Sequence, residues 1–466
     1  MEYLQQRLDV EHNFDIVYRT IIVGGRSACM YFVDGFCKDD LVQKLLQYLM
    51  DLTEDKMPKD VHELSKKEIP YVEVDLEAHW EQIIHFLLSG VFVLLIEGYD
   101  RAILIDSRTY PGRSVEEPEK DKVLRGSKDG FVETVIFNTA LIRRRIRSTD
   151  LRMEMMTAGK SSQTDIVLCY MENRVDHSFL ERIKEKIKNI TADALTMNQE
   201  SLAECLYQRK WFNPFPKFKY TERPDTAAAQ VLEGNIVILV DNSPSAMIMP
   251  TTIFDVVEEA DDYYFPPITG TYLRITRFLI ALLTFLLTPT YLLLATHTQW
   301  VPESFRFILL KEAPNVPLIW QFLILELAID GLRLAAVNTP NMLSTPLSVM
   351  AALVLGEFSV NSGWFSSEVM LYMAFVAIAN YTQANYELGY ALKFMRILNL
   401  ITTQLFGLWG YIGGLLFAVI CIFANRTVAR TSYLYPLFPF DWKKLKNRLI
   451  RRRLPGALHE NKADAH

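Results

Sequence analysis

Residues 278–302 read FLIALLTFLLTPTYLLLATHTQWVP and contain no Asp, Glu, Lys or Arg. A run of this kind is long enough to cross the hydrocarbon core of a bilayer, which is about 30 Å thick and needs about 20 apolar residues per helix. Residues 334–356 and 397–425 also lack these four residue types. One such run would suit a buried helix of a water-soluble protein, but three runs in one region predict a membrane domain.

This region predicts an all-α polytopic membrane domain over residues 270–430, with five recognisable helical segments. The segments are residues 278–298, 317–337, 345–363, 369–384 and 394–424. The chain after residue 425 is rich in Lys and Arg, which the positive-inside rule assigns to the cytoplasm. The first residues are charged and contain no apolar signal-peptide core, so we expect no cleaved secretory signal and a cytoplasmic N-terminal region.

A chain whose N-terminal region and C-terminal tail both lie in the cytoplasm must cross the membrane an even number of times, whereas five segments are visible in the sequence. One segment is therefore expected to be re-entrant, interfacial or a broken pair. Residues 369–384 are the favoured partial segment because they are short for a full span. The last segment is long enough to tilt or to break at one of its glycines. These glycines are Gly407, Gly410, Gly413 and Gly414.

The N-terminal region has the charge content of a water-facing surface and predicts a soluble α/β fold of two subdomains, residues 1–118 and 119–265. Strands are predicted at residues 28–33, 91–96, 102–106, 165–170, 236–240 and 246–249. Helices are predicted at residues 41–52, 79–88, 131–147, 179–190 and 198–207. Strands that alternate with helices favour βαβ packing. Residues 431–466 are predicted to be a basic cytoplasmic tail.

No motif of a known enzyme class is present. The chain lacks GxxxxGK[ST], GxSxG and HExxH, and it has no GxGxxG after a strand. The eight histidines are not spaced as metal ligands, and the five cysteines form no CxxC pair, which fits a reducing compartment. We therefore predict no catalytic residue, no metal site and no cofactor.

Charged residues inside the apolar segments are the most informative feature. Glu326, Asp330 and Arg333 are spaced by four and then three residues, which puts them on one face of a helix. Glu357 stands in the third segment. Each ionised group at the bilayer centre costs roughly 2.5 kcal/mol or more, so such groups normally face protein or water. Two interpretations remain open: Arg333 pairs with an acid and joins helices, or Glu326, Asp330 and Glu357 line a path for cations.

Two basic clusters lie outside these segments. The first, Arg143 to Arg147, could bind an anionic lipid, nucleic acid or an acidic partner. The commoner explanation for such a run is a solvated helix face or intramolecular salt bridges. No nucleic-acid partner is predicted. The second follows the last span and interleaves with Trp442, Leu445, Leu449 and Ile450, which favours an amphipathic segment on the anionic cytoplasmic leaflet over a disordered tail. Its basic residues are Lys443, Lys444, Lys446, Arg448, Arg451, Arg452 and Arg453.

Several short stretches together resemble the A-subunit family of bacterial spore germinant receptors, the GerA type, over nearly the whole chain. They are RGSKDGFVE at 125–133, Asn138, LIRRR at 141–145, SQTD at 162–165, TERPD at 221–225, LEG at 232–234, ILVD at 238–241, NYELG at 385–389 and YLYP at 433–436. The stretch DNSPS at 241–245 and the acidic Glu357 are similar to the stage V sporulation protein AF branch. Ser127 and Glu357 differ from the proline and glutamine of many receptor A subunits.

The resemblance implies an oligomeric subunit in the spore inner membrane that works with other membrane subunits. Its branch implies a small stage V AE-type membrane partner and ion release that amplifies the germination signal. The first functional hypothesis is therefore a homo-oligomeric, ion-conducting subunit of the germination machinery. The alternative is a non-conducting scaffold that anchors receptor clusters through its soluble domain. A secondary transporter would need an inverted repeat, and the sequence shows none.

Overall fold

The computed structural model describes residues 2–37, 39–69, 71–107, 123–124, 126–207, 212–338, 353–383 and 385–451. Two compact units are present. The first, here called the sheet unit, comprises Met1–Arg209 and Phe218–Thr251. The second, the helical unit, comprises Lys210–Lys217 and Thr252–Arg452. The helical unit thus includes residues 212–217 and 252–265, which the sequence analysis assigned to the second α/β subdomain. The boundary predicted at residue 118 lies outside the described residues.

The first half of the sheet unit is a five-stranded sheet covered by helices on both faces. Its strands are β1 (Ile16–Val23), β2 (Arg26–Val33), β3 (Val74–Glu77), β4 (Phe92–Ile96) and β5 (Ala102–Ile105), in the order β1-β2-β4-β5-β3. Its helices are α1 (Glu2–Leu8), α2 (Asp39–Met50), α3 (Val61–Lys67) and α4 (Trp80–Leu88). Alternate residues of β2 face opposite sides, so that Ala28 and Met30 join one core while Cys29 and Tyr31 join the other.

The second half repeats this plan with a second five-stranded sheet. Its strands are β6 (Leu151–Ala158), β7 (Thr164–Met171), β8 (Lys219–Thr221), β9 (Ile236–Val240) and β10 (Ala246–Met249), in the order β6-β7-β9-β10-β8. Its helices are α5 (Val135–Arg145), α6 (His177–Lys188), α7 (Gln199–Leu206) and α8 (Pro224–Leu232). Helices α5 and α8 contribute Leu141, Ile142 and Val231 to a core against β7 and β9.

The predicted α/β class of the N-terminal region is confirmed, but the expected βαβ packing is wrong. All strand pairs described in the two sheets are antiparallel. The six predicted strands are the interior strands of the two sheets. The four strands that the sequence did not reveal, β1, β3, β6 and β8, are the edge strands. Edge strands carry exposed polar positions, which weakens the apolar signal on which the prediction depends.

A buried ion pair joins the two halves of the sheet unit. The Arg143 Nε donates to Asp15 Oδ2 at 2.7 Å and its Nη2 donates to Asp15 Oδ1 at 3.1 Å. Nearby, the Met153 N–H donates to Asn13 Oδ1 at 2.9 Å. Arg145 pairs with Asp129 at 2.8 Å. Of the two explanations offered for this basic cluster, intramolecular salt bridges are therefore correct for Arg143 and Arg145.

The helical unit contains helices of very different lengths. They are α9 (Ile253–Val257), α10 (Asp261–Tyr264), α11 (Pro267–Thr296), α12 (Leu318–Asn338), α13 (Ser359–Asn361), α14 (Ser367–Tyr381), α15 (Tyr386–Phe406), α16 (Leu408–Phe423) and α17 (Trp442–Leu449). A π-helical turn, Leu353–Phe358, precedes α13. Among the described residues, α11 is the helix that is both long and apolar enough to cross a membrane, while α14 and α16 are apolar but shorter.

The last predicted segment is a helical hairpin that turns at Gly407. This glycine has a φ of +59°, in the left-handed region that side chains disfavour, and it separates α15 from α16. The two helices pack closely because α16 carries glycines at the contact: a Cβ on Gly410 would overlap the Thr402 carbonyl oxygen. Residues 369–384, favoured as the partial segment, overlap the regular fifteen-residue helix α14, which begins at Ser367 and ends at Tyr381. Residues 345–352 of the predicted segment 345–363 lie outside the described residues, and the remainder forms the π-helical turn and α13.

Candidate functional site

Four charged side chains meet between α12 and α15 in the helical unit. Arg396 Nε donates to Glu326 Oε1 at 2.8 Å, and Arg396 Nη2 lies 2.5 Å from the same oxygen. Lys393 Nζ lies 3.4 Å from Glu326 Oε2 and also pairs with Asp330. Glu326 and Asp330 are one turn apart on α12, and Lys393 and Arg396 are three residues apart on α15, so the two pairs face each other. We call Glu326, Asp330, Lys393 and Arg396 the charge quartet.

The quartet is formally neutral, and three of its four members are nearly closed to solvent. Arg396 is fully buried, and Glu326 and Lys393 are 3% and 5% exposed. The Arg396 Nη1 also donates to the Thr284 carbonyl oxygen of α11 at 2.9 Å, which ties a third helix to the network. Two carboxylates and two cations can remain ionised in an apolar bundle only when they compensate one another in this way. The quartet therefore fixes the relative positions of α11, α12 and α15.

Arg333 does not take part in the quartet. Its guanidinium lies over the rings of Tyr386, Tyr390 and Tyr381, at 4.7, 5.2 and 5.8 Å from the ring centroids. Glu326 and Asp330 therefore pair with Lys393 and Arg396 and not with Arg333, the partner that one of the two interpretations had predicted. The physical reason is that these cations lie on the facing helix, while Arg333 lies beside the tyrosines.

A small cleft opens beside the quartet. Its polar lining residues are Asp330, Arg333, Asn380, Tyr381, Tyr386, Tyr390 and Lys393. The Asp330 side chain is 33% exposed, in contrast to that of Glu326, at 4%. One acid of the quartet therefore contacts a polar opening while the other is sealed among helices.

Glu357, the third predicted acid, lies away from the quartet in the π-helical turn before α13. Its side chain is exposed, and the neighbouring Phe358 is 63% exposed. A Cβ built on Gly356 would meet no atom within 4 Å. Among the described residues the structure gives Glu357 no cationic partner, so its charge is not compensated by the part of the chain that is described.

The basic tail residues divide into two groups. Lys443 and Lys446 are exposed, and Lys444 lies over the Tyr435 ring at 5.6 Å. Arg448 instead pairs with Asp255 at 2.7 Å and Glu258 at 3.1 Å within the helical unit. Arg451 donates to the Tyr263 carbonyl oxygen. Arg452 and Arg453 lie outside the described residues.

Sequence reasoning offered Arg333 as a partner for the acids of α12 and did not identify Lys393 or Arg396. Lys393 and Arg396 lie in the largely apolar helix α15, and opposite charges in two such neighbouring helices are the signal that could have indicated a pair. In the described part of the chain, no three His, Cys, Asp or Glu side chains are grouped as metal ligands.

Comparison with known proteins gives matches over most of the chain. The sequence model of the family described as "Bacillus/Clostridium GerA spore germination protein" matches residues 2–462. Stage V sporulation protein AF of Bacillus subtilis (strain 168) is 36% identical over 457 residues, which cover 98% of this chain and 92% of the relative. Spore germination protein KA of the same organism is 26% identical over 456 residues, covering 96% and 83% of the two chains.

A solved structure is also similar. It is the crystal structure of the N-terminal domain of the A subunit of the Bacillus megaterium spore germinant receptor GerK3. The likeness has 24% sequence identity and a TM-score of 0.41, and it covers 53% of this chain and 92% of the other.

Proposed function

Because this chain belongs to the GerA family of spore germination proteins, we propose that it is a multi-pass subunit of the germination machinery in the spore inner membrane. In this proposal, copies of the chain assemble to form or gate an ion-conducting channel whose ion release amplifies the germination signal. The sheet unit and the tail face the cytoplasm. Germinant receptor subunits and a small AE-type membrane protein are the proposed partners, besides membrane lipids and further copies of the chain.

The polarity of the helical unit supports insertion into a bilayer. Leu327, Leu405 and Trp409 are 74%, 68% and 79% exposed on helices α12, α15 and α16. The interior of the same helices holds the charge quartet. A unit with an apolar exterior and a charged, paired interior has the distribution expected of a protein surrounded by hydrocarbon.

The two ends of the helical unit lie close together, which supports an even number of crossings. Arg274, near the start of α11, donates from its Nη1 to the Arg448 carbonyl oxygen in α17 at 2.7 Å. The first apolar helix therefore starts beside the basic tail. The hairpin at Gly407 adds one more segment to the five recognised in the sequence, which agrees with this geometry.

The exposed carboxylate of Glu357 is the observation that carries the proposal of conduction. An uncompensated charge in an apolar segment costs roughly 2.5–3.5 kcal/mol at the bilayer centre. Glu326 and Asp330 avoid this cost through Lys393 and Arg396. Glu357 can avoid it through water or a neighbouring subunit. Repeated around a symmetry axis, it would form an acidic ring of the kind that selects cations.

The test is ion flux through liposomes that contain the purified full chain, alone and with its small membrane partner. Glu357→Gln is expected to reduce cation flux several-fold while the oligomeric state is retained, because it removes the charge and keeps the side-chain size. The matched control is Glu312→Gln, which neutralises an exposed glutamate in the connection between α11 and α12. Equal flux through both variants and the wild-type protein would remove Glu357 from the ion path.

The quartet acids remain weaker candidates for the path. Asp330 contacts the cleft, so Asp330→Asn should affect flux more than a substitution at a sealed position. Glu326→Gln would leave the Arg396 guanidinium buried without its carboxylate, so a loss of flux in that variant could reflect disrupted helix packing. Glu357 is for this reason the more informative position.

A non-conducting scaffold is the second candidate, and the internal neutrality of the quartet favours it. A bundle in which α11, α12 and α15 are locked by ion pairs suits an anchor for receptor clusters through the sheet unit. This function predicts that liposomes containing the protein and its small partner stay impermeable to ions, although the two proteins bind each other.

A further inference from the structure

Four large apolar side chains are exposed just before the basic helix α17 and at its first residue. Leu437, Phe438, Phe440 and Trp442 are 45%, 59%, 67% and 63% exposed. They lie within six positions of one another and adjoin the exposed Lys443 and Lys446. We call these six residues the tail patch. An apolar group of this density on a water-facing surface normally marks a site of association.

The tail patch is continuous with the end of the last apolar helix. The Phe438 ring stacks edge-on against Phe423 with centroids 5.7 Å apart, and Phe423 is the final residue of α16 and 52% exposed. At the start of α11, Ile268 and Tyr272 are likewise exposed, at 81% and 66%. The patch is therefore at the level where apolar helices of the helical unit begin and end.

A set of internal contacts holds α17 in this position. The Asp441 carboxylate caps the helix by accepting from the Lys444 N–H at 3.0 Å, and Leu445 is buried. Arg448 is bound by Asp255 and Glu258, so this cation points into the protein. The basic residues of α17 thus differ in their surroundings: Arg448 fastens the helix, Lys444 lies over the Tyr435 ring, and Lys443 and Lys446 are exposed.

From this arrangement we propose that the tail patch lies in the headgroup region of one membrane leaflet and binds anionic phospholipids. The aromatic side chains would enter the boundary between headgroups and acyl chains, where Trp is enriched, and the two lysines would contact the negatively charged headgroups. Apolar and basic side chains in one patch match a lipid surface better than a soluble anion, which would meet only the lysines. The proposal rests on the membrane insertion proposed above, but it does not require ion conduction.

The depth of Trp442 is measured with the full chain in nanodiscs made from lipids brominated near the headgroup end of the acyl chain. Brominated lipid should quench tryptophan fluorescence in the wild-type protein, and the quenched emission should decrease in Trp442→Phe. The remaining signal in that variant provides an internal reference, because Trp320 and Trp409 are exposed on α12 and α16, at 57% and 79%. If the wild-type protein and Trp442→Phe lose the same amount of emission to brominated lipid, Trp442 lies in water and the proposal is overturned.

This design separates two kinds of failure. If Trp442 is not quenched but the remaining tryptophans are, the helical unit is in the bilayer and only the tail patch is wrongly assigned. If brominated lipid quenches neither protein, membrane insertion itself fails, and the tail patch fails with it.

The preference for anionic lipid is measured by placing the bromine in a minority lipid, either phosphatidylglycerol or phosphatidylcholine, in otherwise equal nanodiscs. Wild-type Trp442 should be quenched more by the brominated anionic lipid. Lys443→Gln/Lys446→Gln should lower this preference by up to about fivefold per lysine, since each adjacent basic residue contributes about 1 kcal/mol.

The matched control is Lys66→Gln/Lys188→Gln, which removes the same charge from exposed lysines of the sheet unit. It should leave the preference unchanged. The same preference in both double variants would overturn the assignment of Lys443 and Lys446 to lipid headgroups.

Discussion

Arg143 in the sheet unit and Arg396 in the helical unit are both fully buried, and each is paired with a carboxylate. Arg143 and Asp15 form a single pair among apolar residues, with donor–acceptor distances of 2.7 and 3.1 Å. Arg396 belongs to a network of four charges. The surroundings also differ, because the helices around Arg396 expose large apolar side chains such as Leu327 and Trp409.

This difference shows that burial of charge has different causes in the two units. In the sheet unit apolar residues fill the interior, and the buried Arg143–Asp15 ion pair joins two halves that each have their own cores. In the helical unit large apolar residues lie on the exterior as well as in the interior, and the paired charged residues of the quartet lie inside. The second distribution is stable where the surroundings are as apolar as the protein, as in a bilayer.

The largest predicted effects come from breaking either buried pair. Arg143→Met and Glu326→Gln should each destabilise their own unit by about 3–5 kcal/mol, because each leaves one buried charge without its partner. Hydrogen exchange of the full chain, measured by mass spectrometry, should show lost protection in β1 and α5 for the first variant. For the second, the loss should appear in α12 and α15.

Double substitutions sharpen this comparison. Arg143→Met/Asp15→Leu removes both charges and should recover most of the lost protection, since an apolar pair of similar volume replaces the ion pair. Glu326→Gln/Arg396→Gln should recover less, because the Arg396 donor to the Thr284 carbonyl is also changed. Equal recovery in both units would contradict the view that the quartet acts as a network.

A smaller effect is expected at the hairpin between α15 and α16. Gly410→Ala should destabilise the helical unit by about 1–3 kcal/mol, because its methyl group would overlap the backbone of Thr402, which cannot move aside as a side chain could. Gly413 provides the control, since a Cβ there would meet no atom within 4 Å. Gly413→Ala should be neutral or stabilising because alanine favours the helix. Thermal unfolding in detergent would compare the two, and equal melting temperatures would argue against close packing at Gly410.

The smallest effect is expected in the sheet unit, at the start of α6. Burial opposes ionisation of Asp176, but hydrogen bonds from the Ser178 hydroxyl and the Phe179 N–H outweigh it and lower the pKa of Asp176 below its ordinary value. This cap therefore stabilises α6 at pH values above the pKa that Asp176 has in the unfolded chain. The stabilisation is lost as the pH falls through the lower pKa that Asp176 has in the folded protein. Asp176→Ala should cost about 1 kcal/mol near neutral pH. Its melting temperature should approach that of the wild-type protein in acid, whereas a constant difference would exclude the carboxylate as the cause.

Prediction from sequence succeeded where one physical signal dominates. The interior strands β2, β4, β5, β7, β9 and β10 are continuous or nearly continuous apolar runs, and each was predicted. The edge strands were missed because an edge strand pairs with a neighbour on one side alone, and its open side tolerates polar residues. The strand order was also inaccessible, since it depends on contacts between residues far apart in the chain, and the strands expected to follow βαβ packing proved to be antiparallel.

The sequence by itself determined the division into an α/β region and an apolar helical region, the family, and the acidic residues within apolar segments as the unusual residues. These conclusions depend on composition and spacing along a single segment. Only the tertiary structure decided which cations compensate Glu326 and Asp330, that Arg333 lies over tyrosine rings, and that Arg448 fastens α17 while Lys443 and Lys446 face outward. The physical reason is that an ion pair depends on a few ångströms between helices, and helical spacing fixes a residue's own face but not the side chain it meets.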